Sequence, residues 1–568
     1  MSNLWHGIIS TEVPTSLVAS TQVETGITVA IGTAPIHLAT EPASVNKPVL
    51  AYKYSEAVKQ LGYSDDFETF TLCGAMKNFF SLYNIAPVIF INVFDPAKHY
   101  DAVEKTFTDS TSFTLKSDYG ISDLKITTGK ITEAMDLELD SDYEIIENEV
   151  EDIDEETTYT EKKFHLISIE SDNVAEDCKV TIYYKVEGDA AEKSVTVDFT
   201  NTLDYVLPTD TIVSSIYAQS GEDTNTLRDV NFKTDENDNE VTVTILLGET
   251  LEDNQCKVSY HALNPAKVTA ADIIGGVDIA TGKTTGIELV ESVHPMFRIV
   301  PGTLIAPKYS LDAGVTAALV AKAKKVSGFA KAMAITDLDT TSIKTYTAAV
   351  EAKNSLNLSD PHLIVCYPMV KNGDDIYYMS THLAALMAQV DSENGSIPYV
   401  SPSNQSFQMD AAVLEDGTEI FLTRDQANLL NQNGIVTAFN FNSWKAWGNY
   451  TSVYPASLDV KEIYIPVRRM TNFLTNKFAT DYISKLDMPV TRRMIDSILT
   501  SANIYLNGLV NRGALLGGRL EFPTDENSVT DLLNGSLTFH LYFASPVPAQ
   551  QILFRLEYDI NYINALLA

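Results

Sequence analysis

From Gln551 to Tyr562 apolar and polar residues alternate almost without fault. Ile552, Phe554, Leu556, Tyr558, Ile560 and Tyr562 fall on one side, and Arg555, Glu557, Asp559 and Asn561 on the other. That is the period of a half-buried β-strand. Pro546-Val547-Pro548 precedes it, fixing φ and removing backbone donors, so the strand is expected to stand away from whatever comes before it. At the other end Ile8-Ile9-Ser10-Thr11-Glu12-Val13 is short and β-branched. Pro14 and a Ser/Thr/Val run follow with no helical period. A tethered strand needs a sheet to join, so two such ends point to pairing between subunits.

Between the ends the texture changes twice. GITVAIGTA (26–34) and PVIFINVF (87–94) read as buried strands, with helices over Ser55–Leu61 and Cys73–Tyr83 between them. From Asp101 onward the pattern becomes short alternating strands, at Lys163–Ile169, Lys179–Val186, Ser194–Phe199, Val241–Leu247 and Cys256–His261. Turn clusters such as Glu187-Gly188-Asp189 separate them. Near Met296 the α/β alternation resumes: strands at Leu304–Ala306, Ala330–Ile335 and Leu363–Tyr367, helices at Ala313–Lys325 and Ser380–Val390. Alternation of this kind implies a mostly parallel sheet covered by helices. Thr423 and Gln426 form a capping box, and Gly434 sits at C′ of the helix it opens. Longer helices are expected over Val467–Ile483 and Thr491–Val510, with Gly513 as the stop, then a strand over Leu537–Phe543. The expected division is an N-terminal arm (1–25), the first part of an α/β core (26–100), an inserted acidic β-rich domain or pair of domains (101–272), the rest of the core with a helical part (273–543), and a C-terminal arm (544–568).

Charge sharpens that division. The 568-residue chain has a net charge of −36, and the stretch from Asp101 to Lys267 alone holds 39 acidic against 13 basic residues. This sign disfavours nucleic acid, whose phosphates require clustered Lys and Arg. The longest apolar run, Ala86–Val93, is broken by Pro87 and Asn92 and falls far short of the roughly 20 residues of a membrane span, so no membrane insertion is expected. The N-terminal residues lack the basic and apolar regions of a secretory signal, so synthesis in a bacterial cytoplasm is expected. Cys73, Cys178, Cys256 and Cys366 are scattered without a CxxC pair, which reads as buried thiols rather than disulfides or a zinc site.

Candidate chemistry mostly fails on spacing. Gly276 to Gly282-Lys283-Thr284 has five residues between the first glycine and the Gly-Lys pair, where a phosphate-binding loop needs four. Asp235–Glu240 lacks the glycine and the distal glutamate of a calcium loop and reads as a hairpin turn. The acidic run Glu144–Glu156 reads as a solvated loop rather than a calcium site. There is no HExxH and no GxSxG. No catalytic residue, metal or cofactor is expected. Arg468-Arg469 and Arg492-Arg493 lie near the starts of the two long helices, where they oppose the helix dipole. They are candidates for contact with carboxylates of a neighbouring subunit or partner, against a solvated face or an internal salt bridge.

Several blocks together resemble the sheath proteins of contractile phage tails and of related bacteriocin particles. They are TEVPTS (11–16), IGTAP (31–35), IIGGVDIATGKTTGIELV (273–290), FRIVPGTLIAPKYSLDAGVTAALVAKA (297–323), CYPMV (366–370), LTRDQANLLNQNGI (422–435), YIPVRRM (464–470), NRGALLGG (511–518) and PVPAQQILFRLEYD (546–559). The acidic insertion carries no such likeness, and the family places its variable insertions on the outside of the particle. The resemblance implies a subtilisin-like α/β core without a catalytic site. It also implies a helical homopolymer of stacked rings around an inner tail tube protein, ending at baseplate and tail-terminator proteins, in a virion tail or a released particle. The terminal extensions then complete a β-sheet in neighbouring copies, and the arm residues to test are Ile8, Ile9, Thr11, Val13, Ile552, Phe554, Leu556 and Tyr558. Two other classes stay open. A subtilisin-related serine hydrolase would need Asp337 or Asp339 beside His362 or His382 and a nucleophilic Ser, and no Gly-Thr-Ser segment opens a late helix. An acidic surface-layer or adhesion protein would normally carry an export signal.

Overall fold

The computed structural model describes residues 21–22, 26–108, 255–559 and 562 and the strands 112–116, 125–129, 143–148, 164–169, 179–184, 193–197, 205–208, 227–229, 232–237 and 240–245. Side chains are described for 26–101, 263–559 and 562. The N-terminal residues Ile8, Ile9, Thr11 and Val13 lie outside the described residues. Two compact units emerge: one of residues 29–297 with 306–319, the other of residues 298–305 and 320–568 together with the first 28.

In the first unit the apolar runs form the strands Thr28–Gly32, Val88–Asn92 and Pro48–Ala51. The last two pair antiparallel from Pro48↔Ile91 to Ala51↔Val88. Every residue of Thr28–Gly32 and Val88–Asn92 is buried, which is why these strands read as continuous apolar stretches without alternation. Asn92, the polar interruption, is satisfied in place: its Oδ1 accepts from Ala34 N at 3.0 Å and from Phe94 N at 3.1 Å. Helix Tyr54–Leu61 turns Ala57 and Leu61 inward.

The acidic stretch contains the expected strands. Phe164–Ile169, Lys179–Tyr184, Lys193–Val197, Glu240–Ile245 and Gln255–Leu263 match the five read from alternation. Phe232–Asn237 and Glu240–Ile245 form a hairpin closing at Asn237↔Glu240, so the calcium-loop look-alike is a turn. The strand entering this stretch, Tyr100–Thr108, pairs antiparallel with the strand leaving it, from Tyr100↔Leu263 to Thr108↔Gln255.

The second unit carries the parallel sheet expected from the α/β alternation. Thr303–Ile305, Met333–Asp337, Leu363–Cys366 and Ile435–Asn440 run parallel in that order, and Trp444–Trp447 closes one side antiparallel. Its outer edge is covered by the loop at 404–407, where Phe407 N donates to Trp444 O and Ala446 N to Gln405 O. Helix Met379–Glu393 is buried on nearly all sides, including Ser380, Thr381, His382 and Asp391. Helix Arg424–Gln432 begins with the Thr423/Gln426 capping box and ends before Gly434 at φ 68°, as the sequence requires. The long helices Ile465–Tyr482 and Arg492–Asn511 pack through Met470, Leu474, Ile498, Ala502, Leu506 and Leu509, and Gly513 follows the second at φ 77°.

One expected strand moves, one helix adds to the expected elements, and the tail's expected pairing with another copy is untested by a single chain. The strand placed at 537–543 forms at His540–Ala544, pairing with Gly517–Glu521, whose Gly517-Gly518 start hid it from the sequence reading. Helix Tyr346–Ser355 was not read, because its Ala and polar residues carry almost no apolar face. The alternating segment from Gln551 onward forms no strand within its own chain through Asp559. Its period is present, but it has no ladder partner among the described residues.

Candidate functional site

The last residues of the second unit form a small sheet and an unpaired tail. The hairpin Gly517–Glu521/His540–Ala544 runs from Gly517↔Ala544 to Glu521↔His540. Leu520, Leu541 and Phe543 pack against the two-helix core, while Arg519, Tyr542 and His540 stack on the opposite face: Arg519 lies 4.2 Å over the Tyr542 ring and His540 stacks on it at 4.1 Å. One face is thus apolar and docked and the other polar and wet, the division that the tail residues 551–559 repeat.

The hairpin's two edges differ. Along Gly517–Glu521, the Asn503 amide accepts from Leu520 N at 2.8 Å and donates to Leu520 O at 3.0 Å. Leu520 therefore spends its backbone groups outward on Asn503 and forms a non-hydrogen-bonded pair with Leu541. By the alternation of an antiparallel ladder, Leu541 and Phe543 also point their N–H and C=O groups away from the hairpin. No further strand lies along this second edge among the described residues.

The tail presents the complementary half. Ile552, Phe554, Leu556 and Tyr558 are 73%, 81%, 96% and 78% exposed, and Leu553 is exposed beside them. Four large apolar side chains in strand register and open to water are unusual for a folded chain and mark an interaction segment.

The arginines divide. Arg469 is buried, donating Nη1 to Asp391 Oδ1 at 3.0 Å and Nη2 to Asp391 Oδ2, with Asp391 fully buried. Arg468 is also buried, its Nε donating to Asn472 Oδ1 at 3.2 Å. Outward contact by these two gives way to internal pairing, because the helix they open runs through the core. Arg492 is exposed and pairs with Asp496 one turn on, and Arg493 is exposed without an ion pair among the described residues.

Of the residues of the hydrolase alternative, Asp337, His362 and His382 are buried and Asp339 is half-exposed. Asp337 is buried and its Oδ1 accepts from Ser380 N at 2.8 Å, so it caps helix Met379–Glu393. Burial raises its carboxyl to about 6. Burial also pulls the His382 imidazole down to about 3, and His382 is fully enclosed. Asp339 forms a turn, accepting from Thr341 N and Ser342 Oγ. A cleft of about 350 Å³ in the second unit is lined by Arg298, Lys331, Asn472 and Asn476 among others and by no Ser, Cys or His. Cys73 and Cys366 are buried thiols. Among the described residues no cluster could hold a metal ion, and no helix is long and apolar enough to cross a membrane. The phosphate-loop look-alike is a hairpin, Gly276–Val277 against Thr284–Thr285.

No family model matches the chain. It is 28% identical over 325 residues to the tail sheath protein of Burkholderia phage BcepMu, covering 55% of this chain and 66% of that protein, a little under two thirds. It is 26% identical over 284 residues to the major tail sheath protein of Serratia phage KSP20, covering 50% of this chain and 69% of that protein. Among solved structures, a chain of the anti-feeding prophage baseplate in its contracted state aligns with 97% of this chain and 98% of its own length, at 12% identity and a TM-score of 0.48. Over about half its length, then, this chain is similar to the tail sheath proteins of phages.

Proposed function

We propose that this chain is the structural subunit of a contractile tail sheath, polymerising helically around an inner tube by lending its terminal strands to neighbouring copies. The observation that carries this is the tail: Ile552, Phe554, Leu556 and Tyr558 keep a strand's period while lying exposed, with no strand partner among the described residues. The open His540–Ala544 edge of a second copy offers the backbone groups and the apolar face that such a strand lacks. Alternate residues then meet matching surroundings, the apolar set continuing Leu541 and Phe543 and the polar set continuing Tyr542 and His540.

Full burial is worth about 1.5–3 kcal/mol for each large apolar side chain, so four contribute roughly 6–12 kcal/mol per copy before the cost of ordering the tail. Because the donor and acceptor surfaces differ, the contact is head-to-tail and propagates into a filament instead of closing on itself. The Pro546-Val547-Pro548 tether lets paired strands stay joined while the bodies change pitch, and new intersubunit surface in the compact state supplies the work of contraction. The tube, baseplate and terminator are the further partners, and exposed Arg492 and Arg493 are available to acidic groups on the tube or on a neighbour.

Removing residues 546–568 tests the reading. The body is expected to remain folded, with unchanged far-UV circular dichroism, and to form no tubes by negative-stain electron microscopy. Tubes formed by the truncated chain would refute the part assigned to the tail.

A further inference from the structure

A two-stranded hairpin has two edges, and a borrowed strand could add to either. We propose that Asn503 seals the Gly517–Glu521 edge by standing in for a strand residue, so that the hairpin accepts a neighbour's tail only along His540–Ala544. This rests on the strand-lending reading above and specifies which edge receives the strand.

The geometry is that of a completed rung. Asn503 Oδ1 takes the Leu520 N–H and Asn503 Nδ2 gives a proton to the Leu520 carbonyl, the two bonds an adjacent strand would make. The second Nδ2 proton goes to Leu499 O at 2.8 Å, one turn back on the same helix, which fixes the amide's orientation. Both amide donors and the acceptor are therefore committed, and an incoming strand would have to break two bonds at Leu520 to enter. At Leu541 and Phe543, across the hairpin, entry breaks no bond among the described residues. Neither Ala nor Leu at position 503 could reproduce the seal, since the site needs a donor and an acceptor on one rigid short side chain. The consequence is directional: with one edge closed, each C-terminal tail has one place to go on a neighbouring hairpin.

The test uses the full-length chain and a synthetic peptide of residues 549–562 carrying a photoreactive phenylalanine in place of Phe554, with cross-links mapped by mass spectrometry. For the unaltered chain, cross-links are expected in 540–544 and not in 517–521. For Asn503→Ala, cross-links are expected in both strands, and bound peptide should approach twofold that of the unaltered chain. Asn503→Asp, which keeps the acceptor for Leu520 N–H, should fall between the two and also serves if Asn503→Ala loses its helical circular-dichroism signal. Cross-links to 517–521 in the unaltered chain, or a pattern unchanged by either substitution, would overturn the role of Asn503 while leaving strand lending intact. Absence of any peptide binding to the unaltered chain would overturn the strand-lending reading itself, and this proposal with it.

Discussion

The Arg469–Asp391 pair ties the start of helix Ile465–Tyr482 to helix Met379–Glu393, with side chains 4% and 0% exposed. Arg469→Met removes the cation, keeps most of the side chain's volume, and leaves a carboxylate enclosed without its countercharge. Breaking a buried pair from one side costs about 3–5 kcal/mol, whereas replacing both members by apolar groups of similar size is often neutral or favourable. Arg469→Met/Asp391→Leu is therefore expected to recover most of what the single substitution loses. The assay is urea unfolding of the unassembled chain, followed by tryptophan fluorescence, since Trp444 and Trp447 report from the same compact unit. With a urea slope of roughly 3 kcal/mol/M for a unit of this size, the single variant's midpoint should drop by about 1–1.7 M. A drop below about 0.3 M, or a double variant no more stable than the single one, would refute the account of the pair as a buried, mutually dependent unit.

Other expectations follow from the same physics. Burial raises the Asp337 carboxyl from 3.8 to about 6, so the folded chain holds this proton to higher pH than the unfolded chain does. The associated stability is fully present below about pH 4 and is lost as pH rises to about 6. Asp337→Asn should thus gain up to roughly 3 kcal/mol relative to the unaltered chain between pH 4 and 7, while equal pH profiles would contradict it. At Gly434, φ is 68° and an added Cβ would lie 2.6 Å from Thr451 O and 2.8 Å from Tyr454 O. Gly434→Ala should therefore cost about 2 kcal/mol or more, read as a lowered melting temperature. Phe554→Lys/Leu556→Lys should abolish tubes in electron microscopy and leave the unassembled chain's melting temperature within about 1 °C, because both positions are exposed; a large loss of stability would place the tail inside its own fold.

What was legible in the sequence was whatever a short window determines. The capping box at Thr423, the glycine stops at 434 and 513 and the parallel strands over 303–366 came from local pattern, and the structure has them. So did the tail's period. The hairpin that precedes it did not, because Gly517-Gly518 weakened the strand that completes it and its two strands lie some distance apart in sequence. The arginine pairs show the same limit. Arg468-Arg469 and Arg492-Arg493 are alike as dipeptides, yet the first pair opens a helix that crosses the core and the second a helix whose start is open to water. The deciding residue for Arg469, Asp391, lies 78 positions away.

The ladder joining Tyr100–Thr108 to Gln255–Leu263 has a consequence for how the acidic segment can vary. Its way out and its way back are neighbouring rungs, about 5 Å apart, so the body holds the same two attachment points whatever hangs beyond them. Lengthening or shortening the stretch past Thr108 changes loop-closure entropy only logarithmically. Of the 76 acidic residues 39 lie between Asp101 and Lys267, so most of the excess negative charge belongs to sequence that leaves and rejoins through one antiparallel pair of strands.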